Sequence, residues 1–258
     1  MSNNERTIFL VSVVVVGLAL SLMVNPPFVW LVAAVLIAMV AVGTDHIVHS
    51  HWRVHLRQKR YVLTLLILPA LLTFGAFLFI RLPIFGTGPA AVAGLLVTAF
   101  LLYAVITCQY HTIDPEDSMY PFARFSLNLI GYLTAFSLFS AIYSSKIRSS
   151  VSATAILIIS VLIALELLRG TESSVQRTWL YAVVVGVIMG QVTWALNYWV
   201  ISGLAGGLFL LVAFYLLCGI VQNYFFGKLN LRLAVEFGIV GLAGLGLAMS
   251  SGFWLQKM

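Results

Sequence analysis

The sequence predicts an all-α protein, a polytopic transmembrane helical bundle. Of its 258 residues, 62% are hydrophobic and only 9% are charged, whereas an average soluble domain carries about 25% charged residues. So little charge cannot cover a water-soluble surface, and the mean hydropathy of +1.06 agrees. The apolar runs are continuous and about 20 residues long, which indicates membrane-spanning helices because a helix satisfies its own backbone hydrogen bonds in lipid.

Apolar runs of about seventeen residues or more predict nine spans. Their expected ranges are 7–24, 27–44, 61–82, 88–108, 121–143, 149–169, 178–200, 203–223 and 231–254. The first two are joined by Asn25, Pro26 and Pro27, a tight hairpin, because proline closes one helix and can open the next. No soluble domain and no internal repeat interrupts the pattern, so we expect one domain over residues 1–258.

The basic residues predict the orientation. With the N-terminus in the cytoplasm, ten of the fourteen Lys and Arg residues fall in cytoplasmic segments and four fall outside. The ten are Arg6, Arg53, Arg57, Lys59, Arg60, Arg124, Arg169, Arg177, Lys228 and Arg232; the four are Arg81, Lys146, Arg148 and Lys257. This bias favours nine crossings of a bacterial-type inner membrane with the C-terminus outside. The net charge of +6 is therefore explained by the basic loops that set the membrane orientation, and we expect no nucleic-acid partner.

The segment 43–61, GTDHIVHSHWRVHLRQKRY, holds four of the five histidines. If it continues as a helix at about 100° per residue, two histidines and three arginines form one stripe. These are His46, His49, Arg53, Arg57 and Arg60. Because guanidinium groups fit phosphate oxygens and basic segments attract anionic lipids, the stripe predicts head-group binding by membrane lipids. The simpler interpretation is a basic loop that fixes topology and touches lipid.

A second interpretation of the same region is a metal or catalytic site. The segment 108–121 is expected to face the same compartment, and it carries His111 and Asp114. Together with His51 and His55, these side chains would form a zinc or di-metal shell, or supply a catalytic base. The alternative, which we favour, is a solvated connection whose carboxylates pair with the arginines of segment 43–61. The sequence assigns no cofactor.

The predicted seventh helix carries small and polar residues on one side. Gly186 and Gly190 are four residues apart, and Gln191 and Asn197 follow. Small residues let helix backbones approach closely, so the pattern favours a packing face with hydrogen bonds between helices. The alternative is a polar path that a transported small molecule would follow.

Motifs for phosphate loops, dinucleotide binding, serine hydrolases and zinc proteases are missing from the sequence. Our leading hypothesis is therefore a non-enzymatic structural or accessory subunit of a membrane assembly, with other membrane subunits or a second copy as partners. The first alternative is a membrane enzyme that acts on a phosphate-bearing lipid at the cytoplasmic face. The second is a small-molecule transporter with its polar path at helix seven.

Overall fold

A computed structural model describes residues 3–24, 28–49, 62–82, 88–114, 116–146, 148–169, 174–199 and 201–227, with the single positions 238, 239, 241 and 246. These ranges contain eight helices and no strand. The helices are α1 (Asn3–Ser21), α2 (Phe28–His49), α3 (Val62–Phe79), α4 (Pro89–His111), α5 (Tyr120–Ser144), α6 (Ser149–Leu168), α7 (Val175–Leu196) and α8 (Gly203–Phe225). The all-helical prediction is confirmed for this part of the chain.

Seven of the described helices are long and apolar enough to cross a membrane, and α3 contributes a shorter apolar segment. The predicted ninth span, 231–254, lies almost wholly outside the described residues, so the count of nine stays a prediction. The main difference in the bounds is α2, which continues to His49 where the sequence predicted an end at residue 44. An apolar run marks the lipid-facing part of a helix, and nothing in the stretch that follows it here breaks a helix.

The chain divides into two compact units, residues 1–134 and 135–258. In unit 1, α1 packs on α2 and α4, and α3 packs on the same two helices. The fully buried centre of this four-helix arrangement includes Val14, Val40, Leu68 and Leu102. Val48 near the end of α2 and Ile113 just after α4 are buried in one cluster, so the C-terminal ends of α2 and α4 lie at the same end of the unit.

Arg81 closes the opposite end of unit 1. Its guanidinium donates to the Ser21 carbonyl oxygen and, over 3.3 Å, to Ser21 Oγ. The guanidinium carbon also lies 4.1 Å from the centroid of the Phe77 ring. Partial burial lowers the pKa of Arg81 from its ordinary value. The contacts with Ser21 join the residues that follow α3 to the end of α1. A positive charge at the C-terminal end of α1 is also stabilising, because it complements the dipole of that helix.

In unit 2, α6 packs along α7, and α8 contacts both. A Cβ atom on Gly186 would lie 2.8 Å from the Leu157 carbonyl oxygen, so the α6 and α7 backbones approach closely at this glycine. The second half of α5 packs on α8 through Gly203, Gly206 and Gly207. Small residues at these contacts permit the close helix packing that stabilises membrane bundles.

The loop between α5 and α6 is fastened to the end of α7. The Tyr143 hydroxyl donates to the Leu196 carbonyl oxygen over 3.0 Å, and Lys146 Nζ donates to the Ile201 carbonyl oxygen over 3.1 Å. Lys146 adopts the left-handed region with φ 46°, and its ammonium lies 4.2 Å from the centroid of the Tyr143 ring. Burial lowers the pKa of Lys146 from its ordinary value. These contacts fix a positive charge beside the start of α6.

Candidate functional site

A small apolar cluster brings the end of α2 next to the segment after α4. Val48, Leu65 and Ile113 are buried together, and Tyr110 packs against them. His46, two residues before Val48, is exposed on α2. The end of the histidine-bearing helix and the start of the acidic segment therefore lie at one end of unit 1. This is the geometric condition on which the metal and catalytic hypotheses depend.

The acidic segment is ordered by its own side chains. His111 Nδ1 lies 2.7 Å from Asp117 Oδ2, with about a third of each side chain exposed (34% and 28%). The other Asp117 oxygen accepts the Met119 backbone N–H over 2.9 Å, just before α5 begins. Asp114 Oδ1 accepts the Glu116 N–H over 3.0 Å in a turn. A carboxylate that orients an imidazole in this way is the arrangement a general base uses.

The buried residues beneath His111 are also polar. Gln109 is fully buried, and no group in the described ranges hydrogen-bonds to its side-chain amide. The hydroxyl of Thr44 on α2 is also buried, and no group in the described ranges hydrogen-bonds to it. An unsatisfied buried polar group costs about 1–3 kcal/mol. This end of unit 1 thus has hydrogen-bonding capacity that the described side chains leave unused.

The remaining predicted residues of this region lie outside the described residues. They are His51, Arg53, His55, Arg57 and Arg60, and the side chain of His49 lies outside as well. Within the described ranges, no group of three or more His, Cys, Asp or Glu side chains is placed to hold a metal ion. The phosphate stripe and the shell of His51, His55 and His111 stay predictions.

A groove of about 690 Å³ runs between α6 and α7 in unit 2. Its lining residues are Ser150, Ala153, Thr154, Leu157, Val187, Gly190, Gln191, Trp194, Ala195 and Tyr198. From Val187 to Tyr198 it extends about 16 Å at a helical rise of about 1.5 Å per residue. The volume falls within the range of about 300–1,000 Å³ that is typical of small-molecule sites.

The packing of α7 determines the shape of this groove. Gly190 is buried against α6, where an added Cβ would lie 3.4 Å from the Ala153 carbonyl oxygen. The Asn197 amide donates to Ser152 Oγ over 3.0 Å and joins the two helices near their ends. Gln191 is exposed in the groove one residue beyond Gly190. The predicted residues of helix seven thus divide: Gly186, Gly190 and Asn197 contact α6, and Gln191 faces the groove.

Several groove residues were not anticipated from the sequence. Thr154 and Ser150 come from α6, and Trp194 and Tyr198 come from the end of α7. The sequence feature that could have predicted them is the run 149–155, SSVSATA. Its small and hydroxylated residues leave space between this helix and the helix that packs on it. Trp194 and Tyr198 are amphipathic aromatic residues of the kind that lie at the membrane–water interface.

The fold and these surfaces define a class: the chain is a helical, multi-pass membrane protein. A family model described as "Protein of unknown function (DUF5656)" matches residues 6–251. The chain therefore belongs to the DUF5656 family. No curated protein and no solved structure matches it.

Proposed function

We propose that the protein is a non-enzymatic accessory subunit of a membrane assembly and that it acts by holding a membrane lipid in the α6–α7 groove. The observation that carries the proposal is the exposed amide of Gln191 inside a largely apolar groove. A polar group facing hydrocarbon without a hydrogen bond costs free energy, so polar residues in spans mark functional sites. A lipid with a polar linkage would satisfy that amide.

The position of Gln191 suits such a ligand. The residue lies five positions before the end of α7 and three before Trp194, which is about 8 Å and 5 Å along the helix axis. Tryptophan side chains prefer the head-group level of the bilayer. The amide therefore lies at the depth where polar head groups give way to acyl chains. Leu157 and Val187 line the deeper part of the groove and are apolar.

The same proposal includes the membrane and the orientation. We propose nine crossings of a bacterial-type inner membrane, with the N-terminus cytoplasmic and the C-terminus outside. The support is the distribution of Lys and Arg, ten in the inner segments against four in the outer ones, because short basic loops are retained in the cytoplasm. In this orientation the groove opens in the outer leaflet, and the His111 end of unit 1 faces the cytoplasm.

Lipid retention tests the proposal. We expect native mass spectrometry of the protein released from mild detergent to show one bound lipid per chain. The Ala195→Phe variant should reduce its occupancy at least ten-fold, because Ala195 is exposed in the groove and a phenyl ring would fill it. The Gln191→Leu variant should lower occupancy about five-fold to ten-fold, because the lipid loses about one hydrogen bond.

The matched control is Val184→Phe on the same helix, because Val184 is 43% exposed and does not line the groove. Its lipid occupancy should equal that of the wild type. Equal occupancy in all four proteins would mean that the bound lipid belongs to the general lipid shell, and the groove would lose its assigned role. Absence of a bound lipid from the wild type would have the same consequence.

The His111–Asp117 pair favours a second candidate, an enzyme acting on a phosphate-bearing lipid at the cytoplasmic face. Asp117 Oδ2, 2.7 Å from His111 Nδ1, orients the imidazole, and both side chains are partly exposed. Arg53, Arg57 and Arg60 would hold the phosphate, and His51 or His55 would act with His111. In this candidate the polar end of unit 1, not the groove, is the active region.

Turnover of a labelled phospholipid in vesicles tests the second candidate. His111→Ala and Asp117→Asn should each slow the reaction about 10²-fold or more, the usual contribution of a positioned base. Ser118→Ala is the control, because Ser118 is exposed in the same segment and belongs to neither the predicted metal shell nor the predicted catalytic group. If the wild-type protein releases no product, or if all three variants react equally fast, this candidate is wrong.

A further inference from the structure

We infer that the groove selects an anionic phospholipid, with its head group at Arg148, its ester linkage at Gln191 and the start of one acyl chain against Leu157 and Val187. This inference rests on the proposed lipid-binding function and adds the chemical class and the direction of the ligand. It depends on three features of unit 2: the order of polar and apolar residues along the groove, the charge at its mouth, and its width.

The groove changes in character from its mouth inwards. Ser150 and Tyr198 lie at the mouth, where α6 begins and α7 ends. Thr154 and Gln191 lie about one to two helical turns deeper, and the apolar side chains of Leu157 and Val187 line the innermost part. A phospholipid presents the same order along its length: a charged head, ester carbonyls that accept hydrogen bonds, and an apolar chain. The Gln191 amide has N–H donors for an ester carbonyl.

The charge at the mouth is positive. Arg148, two residues before Ser150, has an exposed side chain, and Lys146 is held at the same end by its hydrogen bond to the Ile201 carbonyl. In the sequence from 135 to 199 the acidic residues are Glu166 and Glu172, which come at the far end of α6 and after it. Two cationic residues therefore lie within four positions of Ser150 in the chain, and a cation near the membrane surface attracts anionic lipid.

The width of the groove admits one chain. Gly186 and Gly190 hold α6 and α7 in contact at the base of the groove, so the two helix surfaces diverge only on the exposed side. Two packed helices lie about 8–10 Å apart, and the space that remains between their side chains accepts a single acyl chain along the helix axis. The second chain of the phospholipid would remain in the surrounding bilayer.

Competition in nanodiscs tests the inference. The full-length protein is reconstituted with equal amounts of phosphatidylglycerol and phosphatidylcholine that carry identical acyl chains, and the lipid retained in the groove is quantified by native mass spectrometry. We expect the wild type to retain the anionic lipid in preference by at least ten-fold. Arg148→Gln should reduce that preference about five-fold, which corresponds to about 1 kcal/mol for one charge near the surface. Added salt should reduce the wild-type preference as well.

The matched control is Arg177→Gln, because Arg177 is also exposed but lies in the first turn of α7, at its other end. This variant should keep the wild-type preference. If the wild type retains both lipids equally while Ala195→Phe still removes them, the inference is wrong and the proposed function stands. If Ala195→Phe changes nothing, only general shell lipid is bound, and the proposed function fails with the inference. An equal loss of preference in Arg148→Gln and Arg177→Gln would also contradict the assigned head-group position.

Discussion

Gly207→Ala is expected to lower the stability of the protein by about 3 kcal/mol, near the upper end of the usual cost of overpacking. The added Cβ would lie 2.6 Å from the Cα atom of Ser140 and would also overlap its hydroxyl. Because one of these atoms is backbone, a change of side-chain rotamer cannot relieve the overlap, and α5 and α8 must move apart. The separation would disturb the contact of Phe139 with Phe214, whose ring centroids are 5.7 Å apart.

The measurement is the midpoint of thermal unfolding of the purified protein in detergent. Gly94→Ala on α4 is the matched control: its added Cβ would approach only the side chain of Ile80, at 3.3 Å. Since alanine is favoured over glycine in a helix by about 1 kcal/mol, the control should be neutral or slightly more stable than the wild type. Equal midpoints for the two variants would show that α5 and α8 do not pack as closely as described.

The helices were largely predictable because a span in lipid requires a long apolar run, and such runs are visible in the sequence. Their ends were less predictable. The hydrophobic pattern ends where lipid ends, and a helix such as α2 continues beyond that point to His49. Likewise α7 runs from Val175 to Leu196 where the sequence predicted 178–200. Helix ends depend on caps and local hydrogen bonds, which apolar periodicity does not report.

The candidate site was predictable only on one of its two sides. The spacing of Gly186, Gly190 and Gln191 in the sequence marks a special face of α7. The facing residues, such as Thr154 and Leu157, could not be chosen, since the sequence does not say which side of α6 meets α7. Contacts between distant residues have the same limit. The Arg81 contact with Ser21 joins positions 60 residues apart and has no local signature.

The acidic segment contains a local contact that the sequence did not predict, while its expected pairing with arginines of segment 43–61 stays a prediction because those arginines lie outside the described residues. Its carboxylates were expected to pair with arginines of the histidine-rich segment. In the structure, Asp117 pairs with His111, which is six residues away. The chain turns between α4 and α5, and this brings the two side chains together at little entropic cost because the loop is short. A prediction that considers only Lys and Arg as partners of a carboxylate overlooks an imidazole.

Arg169→Ala is expected to destabilise the protein by about 3–5 kcal/mol, the cost of breaking a buried ion pair by removing one partner. Arg169 Nη2 lies 3.0 Å from Glu166 Oε1, and the two side chains are only 11% and 2% exposed. Both residues lie at the C-terminal end of α6, and Glu166 belongs to the helix that also forms the groove. Removing the guanidinium takes a positive charge away from a buried carboxylate. Replacing both residues by apolar ones removes the carboxylate as well.

The double variant Glu166→Leu with Arg169→Leu therefore provides the decisive comparison. It should regain most of the stability that Arg169→Ala loses, because apolar residues of similar volume often replace a buried ion pair at little cost. Unfolding midpoints of the wild type, Glu166→Leu, Arg169→Leu and the double variant form a cycle that isolates the coupling of the two side chains. A coupling close to zero would mean that the Glu166–Arg169 contact contributes no net stability. A large coupling with unchanged lipid occupancy would separate the stability of α6 from the lipid-binding role of its groove face.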